Sequence, residues 1–270
     1  MESRVTRLRR HVREMLLEQV EYRELLWQMT VRDLLLRYKQ TVMGFGWAVF
    51  TPVVNTVIFT LIFTRVAPIA TEVPYPLYAY CGLLPWTFFA SSLRVAASSL
   101  IGNTELVTKV YFPRENLAFA AVLVSLVDFL VASTLLVGMM IYFQVGISAS
   151  LLFLPVLLLI QIAFTAGLAL ILAMANLYYR DIKYIFELVL TFWMFATPVL
   201  YPVELVGGRL GELLKLNPMT PIIDGYRTVL LRGDLPGPVP LVWSTLIAVT
   251  TLVVGWMVFH QKEFQFAENI

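Results

Sequence analysis

Six stretches of this 270-residue chain are apolar over the length needed to cross a bilayer, and that repetition constrains the fold more than any motif does. They cover residues 43–64, 77–101, 117–143, 150–177, 185–201 and 241–260. A span needs roughly 20 apolar residues, because a helix rises about 1.5 Å per residue across about 30 Å of hydrocarbon. Backbone amides find no water there, so each stretch is expected to be helical. The expected fold is all-α and integral to the membrane, with six transmembrane helices. A soluble domain is excluded by 59% hydrophobic and only 14% charged residues.

The first stretch is approached through Arg32 to Pro52, RDLLLRYKQTVMGFGWAVFTP, which passes from a charged helical surface to an uncharged run ending at Thr64. Charges are costly in hydrocarbon and cheap beside headgroups, so the membrane boundary falls near Thr41 to Trp47. Ahead of it, Ser3 to Lys39 carries Val5, Leu8, Val12, Met15, Leu16 and Val20 at helical spacing, with arginines between them. Such an amphipathic, cationic helix suits the headgroup layer; a solvated arm with an incidental apolar stripe is the alternative. Residues 1–40 are thus read as an interface segment and 41–270 as the transmembrane domain. No early apolar run marks a secretory signal.

Six spans put both termini on one side. Lys and Arg on that side, from Arg4 to Lys39 and then Lys109, Arg114, Arg180, Lys183 and Lys262, outnumber Arg65, Arg209, Lys215, Arg227 and Arg232 on the other. The excess places both termini in the cytoplasm. Between spans two and three, residues 102–116 read GNTELVTKVYFPREN. Asn103 or Thr104 is expected to cap a short helix holding Glu105, Leu106 and Lys109, which Pro113 ends. It is either a handle for a cytoplasmic partner or an ordinary connection. Residues 203–240 are expected to form two short amphipathic helices broken at Asn217-Pro218, dipping back into the outer leaflet.

Within the spans, Ser92 with Ala96, Ala163 with Gly167, and Ala169 with Ala173 permit close helix contact. Arg94 and Asp128 are charges at costly depth and about one helical turn apart along the membrane normal, which predicts that they pair. Soluble chemistry is hard to find. The chain has no Gly-Lys for a nucleotide loop, no His-Glu-x-x-His and no Gly-x-Ser-x-Gly. Cys81 is the only cysteine, and His11 and His260 are the only histidines. No catalytic residue, bound metal or nucleic acid partner is expected.

RDLLLRYKQTVMGFGWAVFTP, KVYFPREN, YYRDIK, TPVLYP and NPMTPIIDGYR occur in this order across nearly the whole chain. Together they resemble the membrane subunits of ABC exporters that move lipid-linked polysaccharides, the O-antigen, teichoic acid and capsule permeases. The resemblance implies a homodimer in the bacterial inner membrane, bound to two copies of a separate ATPase subunit that holds ATP and magnesium. By position, the N-terminal segment resembles the family's interface helix. Asn103 to Tyr111 resembles its coupling helix, implying ATPase contact by Asn103, Glu105, Leu106 and Lys109. Residues 203–235 resemble re-entrant gate helices, with Asn217, Pro218, Tyr226 and Arg227 in the gate motif. Arg180 and Asp181, beside Tyr179, match a motif whose implied role is to cap and fix the turn between spans four and five.

The implied substrate is a sugar chain on a polyprenyl diphosphate. Arg32, Arg37 and Lys39 are candidates for the diphosphate, although the positive-inside bias alone also explains them. Rings that stack on sliding sugars are sought at Trp86, Phe88 and Phe89 on span two and at Phe192, Trp193, Phe195 and Tyr201 on span five. Trp86 and Tyr201 are equally suited to interfacial anchoring. Competing readings are an ABC exporter of another lipid or drug, and an intramembrane polyprenyl-phosphate transferase. The transferase lacks support, because the loops offer scattered acids such as Glu105, Glu115 and Asp181 rather than clustered aspartates for magnesium.

Overall fold

A computed structural model describes residues 17–110, 112–263 and 266. The arginines and apolar residues of positions 1–16 lie outside the described residues. The helices are α1 (Arg23–Tyr38), α2 (Gly46–Leu61), α3 (Tyr75–Gly102), α4 (Thr104–Lys109), α5 (Glu115–Tyr142), α6 (Leu154–Tyr178), α7 (Ile182–Phe195), α8 (Gly208–Leu216), α9 (Met219–Arg227) and α10 (Pro238–Lys262). Wider π turns prolong α2 over Ile62–Val66 and α9 over Thr228–Arg232, and a 3-10 turn at Ala149–Phe153 leads into α6. No strand occurs among the described residues.

Four helices are long and apolar enough to cross a membrane: Gly46–Val66, Glu115–Tyr142, Ala149–Tyr178 and Pro238–Lys262. The other two expected spans depart from that pattern, each for a visible reason. Stretch 77–101 lies within the 28-residue α3, which is long enough but carries Tyr78, Tyr80, Ser91, Ser92, Ser98 and Ser99 along its length. Stretch 185–201 yields only the 14-residue α7, about 21 Å long, which stops at Phe195 ahead of Pro198. A residue before proline is pushed out of the helical region, so the helix ends early.

Helix α3 is the centre of the bundle, with Leu77, Ala79, Phe89, Leu93, Ala96 and Leu100 fully shielded. Ser92, Ser98 and Ser99 bond back to carbonyls of their own helix, while other polar groups tie α3 to its neighbours. The Tyr80 hydroxyl donates to the Ala132 carbonyl of α5 at 2.9 Å. Gln161 and Asn176, both on α6, donate to the carbonyls of Pro85 and Ala97 at 2.7 Å each. Such bonds hold helices together where burial against lipid gives little drive. Prolines begin α6 and α10 where a missing N–H costs nothing.

The tightest crossing joins α6 to α10. A Cβ on Gly167 would strike the Thr251 and Leu252 backbone, and one on Gly255 would come within 2.6 Å of the Gly167 carbonyl. The Ala163–Gly167 ridge therefore marks an approach that only glycine permits. Helix α2 is the opposite case, with 11% of its apolar window buried against 61% for Ala149–Tyr178. Its Val54, Val57, Ile58 and Leu61 face outward, as does the Phe192 side of α7.

Candidate functional site

The two ends of the bundle gather the motifs, one around α4 and the other around α9. At the α4 end, α1 lies against α5 with Met29 and Thr30 buried. The chain then turns through Gln40 and Gly44, both with positive φ, before α2 begins. Thr41 braces this turn, accepting from the Gly44 N–H at 3.1 Å and donating to the Tyr38 carbonyl at 2.9 Å.

The end of α1 supplies the partner of Asp128. Arg37 and the Tyr38 hydroxyl both donate to the Asp128 carboxylate. Arg94 instead reaches α7, pairing with Glu187 at 2.9 Å. The expected Arg94–Asp128 pair is thus replaced by two others. Depth alone fixed one coordinate, whereas the helix faces decide which acid each arginine meets. Burial, and then the Asp128 carboxylate, push the Tyr38 hydroxyl above the ordinary phenol range, which keeps it a donor. A cavity of about 300 Å³ opens beside this cluster, lined by Arg37, Trp47, Phe88, Arg94, Ser125 and Asp128 among others.

Of the other diphosphate candidates, Arg32 pairs with Asp33 at 2.7 Å and donates to the Asn103 side-chain oxygen at 3.0 Å. Lys39 is exposed at the α1 C-terminus. Arg32 thereby ties α1 to the start of α4. Asn103 stands at the N-cap of that helix as expected, but its side chain makes no cap bond. Asn103 is committed to Arg32 and to the Ser99 carbonyl, and the Thr104 hydroxyl turns back to Ile101. Helix α4 is anchored by the buried Val107 and by Arg114, which donates to the Val107 carbonyl at 3.0 Å. Glu105 and Lys109 face outward as an i,i+4 pair at 3.5 Å, and Leu106 is half-buried. Below them, burial and the neighbouring Glu115 carboxylate push the Glu263 carboxyl up to about 7.

At the α9 end, two motifs fold onto each other. Asn217 donates to the Thr197 hydroxyl at 2.8 Å and the Ala196 carbonyl at 3.2 Å. Its oxygen accepts from the Trp193 indole and the Met219 amide, each at 3.1 Å. Arg227, 4% exposed, donates to the carbonyls of Pro198 and Val199 and lies 3.8 Å over the Tyr78 ring. A side chain at Gly82 would occupy the space of that guanidinium. Pro218 caps α9, and Tyr226 is buried within it.

The aromatic candidates divide. Trp86, Phe88 and Phe89 are buried, and Phe89 stacks on Phe164 at 5.6 Å with Trp193 edge-on at 5.2 Å. Of these three only Phe88 lines the cavity. Phe192 and Phe195 are exposed, and the half-buried Tyr201 donates to the Phe195 carbonyl at 2.6 Å. Arg180 and Asp181 are exposed, and Asp181 makes no side-chain cap. Asn176 does that work instead, accepting the Lys183 amide at 3.2 Å while it holds Ala97. Its place on an apolar helix was the available signal.

Residues 24–231 match the ABC-2 type transporter family. The chain is 34% identical over 257 residues to an O-antigen export system permease protein of Myxococcus xanthus, covering 94% of this chain and 98% of that protein. A permease of the same description from Klebsiella pneumoniae is 29% identical over 250 residues, covering 91% and 94%. The polysialic acid transport protein KpsM of Escherichia coli is 20% identical over 241 residues, covering 86% and 91%. The chain is accordingly a membrane permease subunit that belongs to the ABC-2 type transporter family.

Proposed function

We propose that this chain exports a lipid-linked polysaccharide of the O-antigen class across a bacterial inner membrane. The observation that carries this reading is the 34% identity to an O-antigen export permease along nearly all of both chains. ATP hydrolysis belongs to a separate ABC ATPase subunit, two copies of which dock on a permease dimer. Helices α3 and α7 serve as the second and fifth of six spans, with both termini cytoplasmic. For α3 the support is its 28-residue length, and for α7 the TPVLYP segment that continues beyond it. Helix α4, fixed from below by Val107 and Arg114, presents Glu105 and Lys109 to the ATPase.

Substrate capture starts at the cavity beside α1. Arg37 and Arg94 there are each neutralised by a carboxylate that a diphosphate can displace, and Lys39 adds charge at the surface. Phe88 and the exposed α7 aromatics then offer flat faces to the glycan, while α8 and α9 close the far end. The test is to co-express this chain with the ABC ATPase subunit of its own organism, purify through a tag on this chain, and measure ATP hydrolysis. A stable complex stimulated by a polyprenyl-diphosphate-linked glycan is expected. A complex indifferent to glycans but stimulated by another lipid would replace the substrate, and failure to hold any ATPase would overturn the reading.

A further inference from the structure

Beneath α4, four side chains from three distant parts of the chain converge. They are Glu18 ahead of α1, Glu115 at the start of α5, His260 near the end of α10, and Glu263 just past it. One ligand atom each from Glu18, Glu115 and His260 lies within 4.8 Å of the other two. Glu115 is fully shielded, yet among the described residues its Oε2 has no hydrogen-bond partner, and neither has the His260 Nδ1. An unpartnered buried carboxylate oxygen is expensive, and a cation held beside it would satisfy it.

The spacing identifies what fits. His260 Nδ1 stands 3.6 Å from Glu115 Oε1 and 3.5 Å from Glu263 Oε1. Those separations are long for hydrogen bonds. These two separations are close to the roughly 3.4 Å edge of a tetrahedron whose nitrogen and oxygen ligands sit about 2.0–2.1 Å from a central ion, and the Glu18 ligand atom lies within 4.8 Å of those of Glu115 and His260. The Trp256 indole donates to Glu115 Oε1 at 3.2 Å and orients the carboxylate, as an outer partner does for a metal ligand. The Arg114 guanidinium does not serve it, being spent on the Glu263 and Val107 carbonyls. A cavity of about 160 Å³ lined by Glu18, Arg114 and Glu263 opens on one side of the cluster, with room for a hydrated ion.

We propose that Glu18, Glu115 and His260, joined by Glu263, bind one divalent transition-metal ion of the zinc class. The ion ties the segment before α1, the base of α4 and α5, and the end of α10 into one block. Its role is structural, because protein groups are available for all four positions and a catalytic ion keeps one open.

The test uses the full-length chain in detergent, stripped with chelator and returned to zinc. One zinc per chain is expected after removal of loosely held metal, together with a raised melting temperature that follows zinc concentration. Glu115→Gln and His260→Gln are expected to lose stoichiometric zinc, and the milder Glu18→Gln to weaken binding by about tenfold or more. Should the first two fail to fold, Glu18→Gln decides. Substoichiometric zinc in the wild type, or zinc held equally by Glu18→Gln, would overturn the site.

Discussion

The two ends of the bundle solve one problem, pinning non-spanning chain to apolar helices, with different chemistry. At the α9 end the hub is neutral: Asn217 satisfies four groups, and the single buried charge, Arg227, is spread over two carbonyls and a tyrosine face. At the α4 end the ties of α1 are ionic, through Arg32 with Asp33 and Arg37 with Asp128. A side-chain amide bonded on all four sides, as Asn217 is, specifies one geometry and resists rearrangement. Ion pairs that remain partly exposed exchange partners at little cost. The α9 end is therefore built to stay, and the hold of α1 at the α4 end to be altered by whatever docks or binds.

That contrast is broken most directly at Arg227. Arg227→Met strands the buried Pro198 and Val199 carbonyls without their donor, and a loss of about 2–4 kcal/mol in thermal or denaturant unfolding is expected. Arg227→Lys is expected to restore little, since one ammonium cannot reproduce the planar fork. Equal stability of wild type and Arg227→Met would erase the difference between the ends.

A smaller effect separates the arginine pairs. Asp128→Ala leaves Arg37 and Tyr38 without their shared acceptor at about one-quarter exposure, and is expected to cost about 1–2 kcal/mol. Arg94→Gln removes a pair whose members are 48% and 50% exposed, and is expected to change the melting curve by about 0.5 kcal/mol or less. A reversed ranking would show that Arg94, not Arg37, is the structural cation.

The smallest stability effect belongs to α4. Alanine at Glu105 or Lys109 is expected to leave unfolding within about 0.5 kcal/mol of wild type, because the pair is solvated. The same substitutions are expected to lower ATPase activity in the complex with the ATPase subunit. Unchanged coupling would show that another surface carries the contact.

Apolar run length made α2, α5, α6 and α10 legible in the sequence, whereas it overran α7, which ends at Phe195 ahead of the prolines of TPVLYP. Partner choice was not legible. Asp128 meets Arg37 across 91 positions, and only the rotation of α1 against α5 decides this. Aromatic residues suit a sealed core as well as a wet path, so composition could not divide Phe89 from Phe192. The Glu115 and His260 cluster left no spacing pattern, because its members stand 145 positions apart and meet only through the fold.

The glycine contact between α6 and α10 has a mechanical consequence. With Gly167 and Gly255 touching backbone to backbone, these helices neither slide nor roll without colliding, so they move as a single beam. A push delivered at one end of such a beam arrives at the other undiminished. Compliance is left to the sparsely packed α2 and the short α7, which flank the bundle like shutters on a fixed frame.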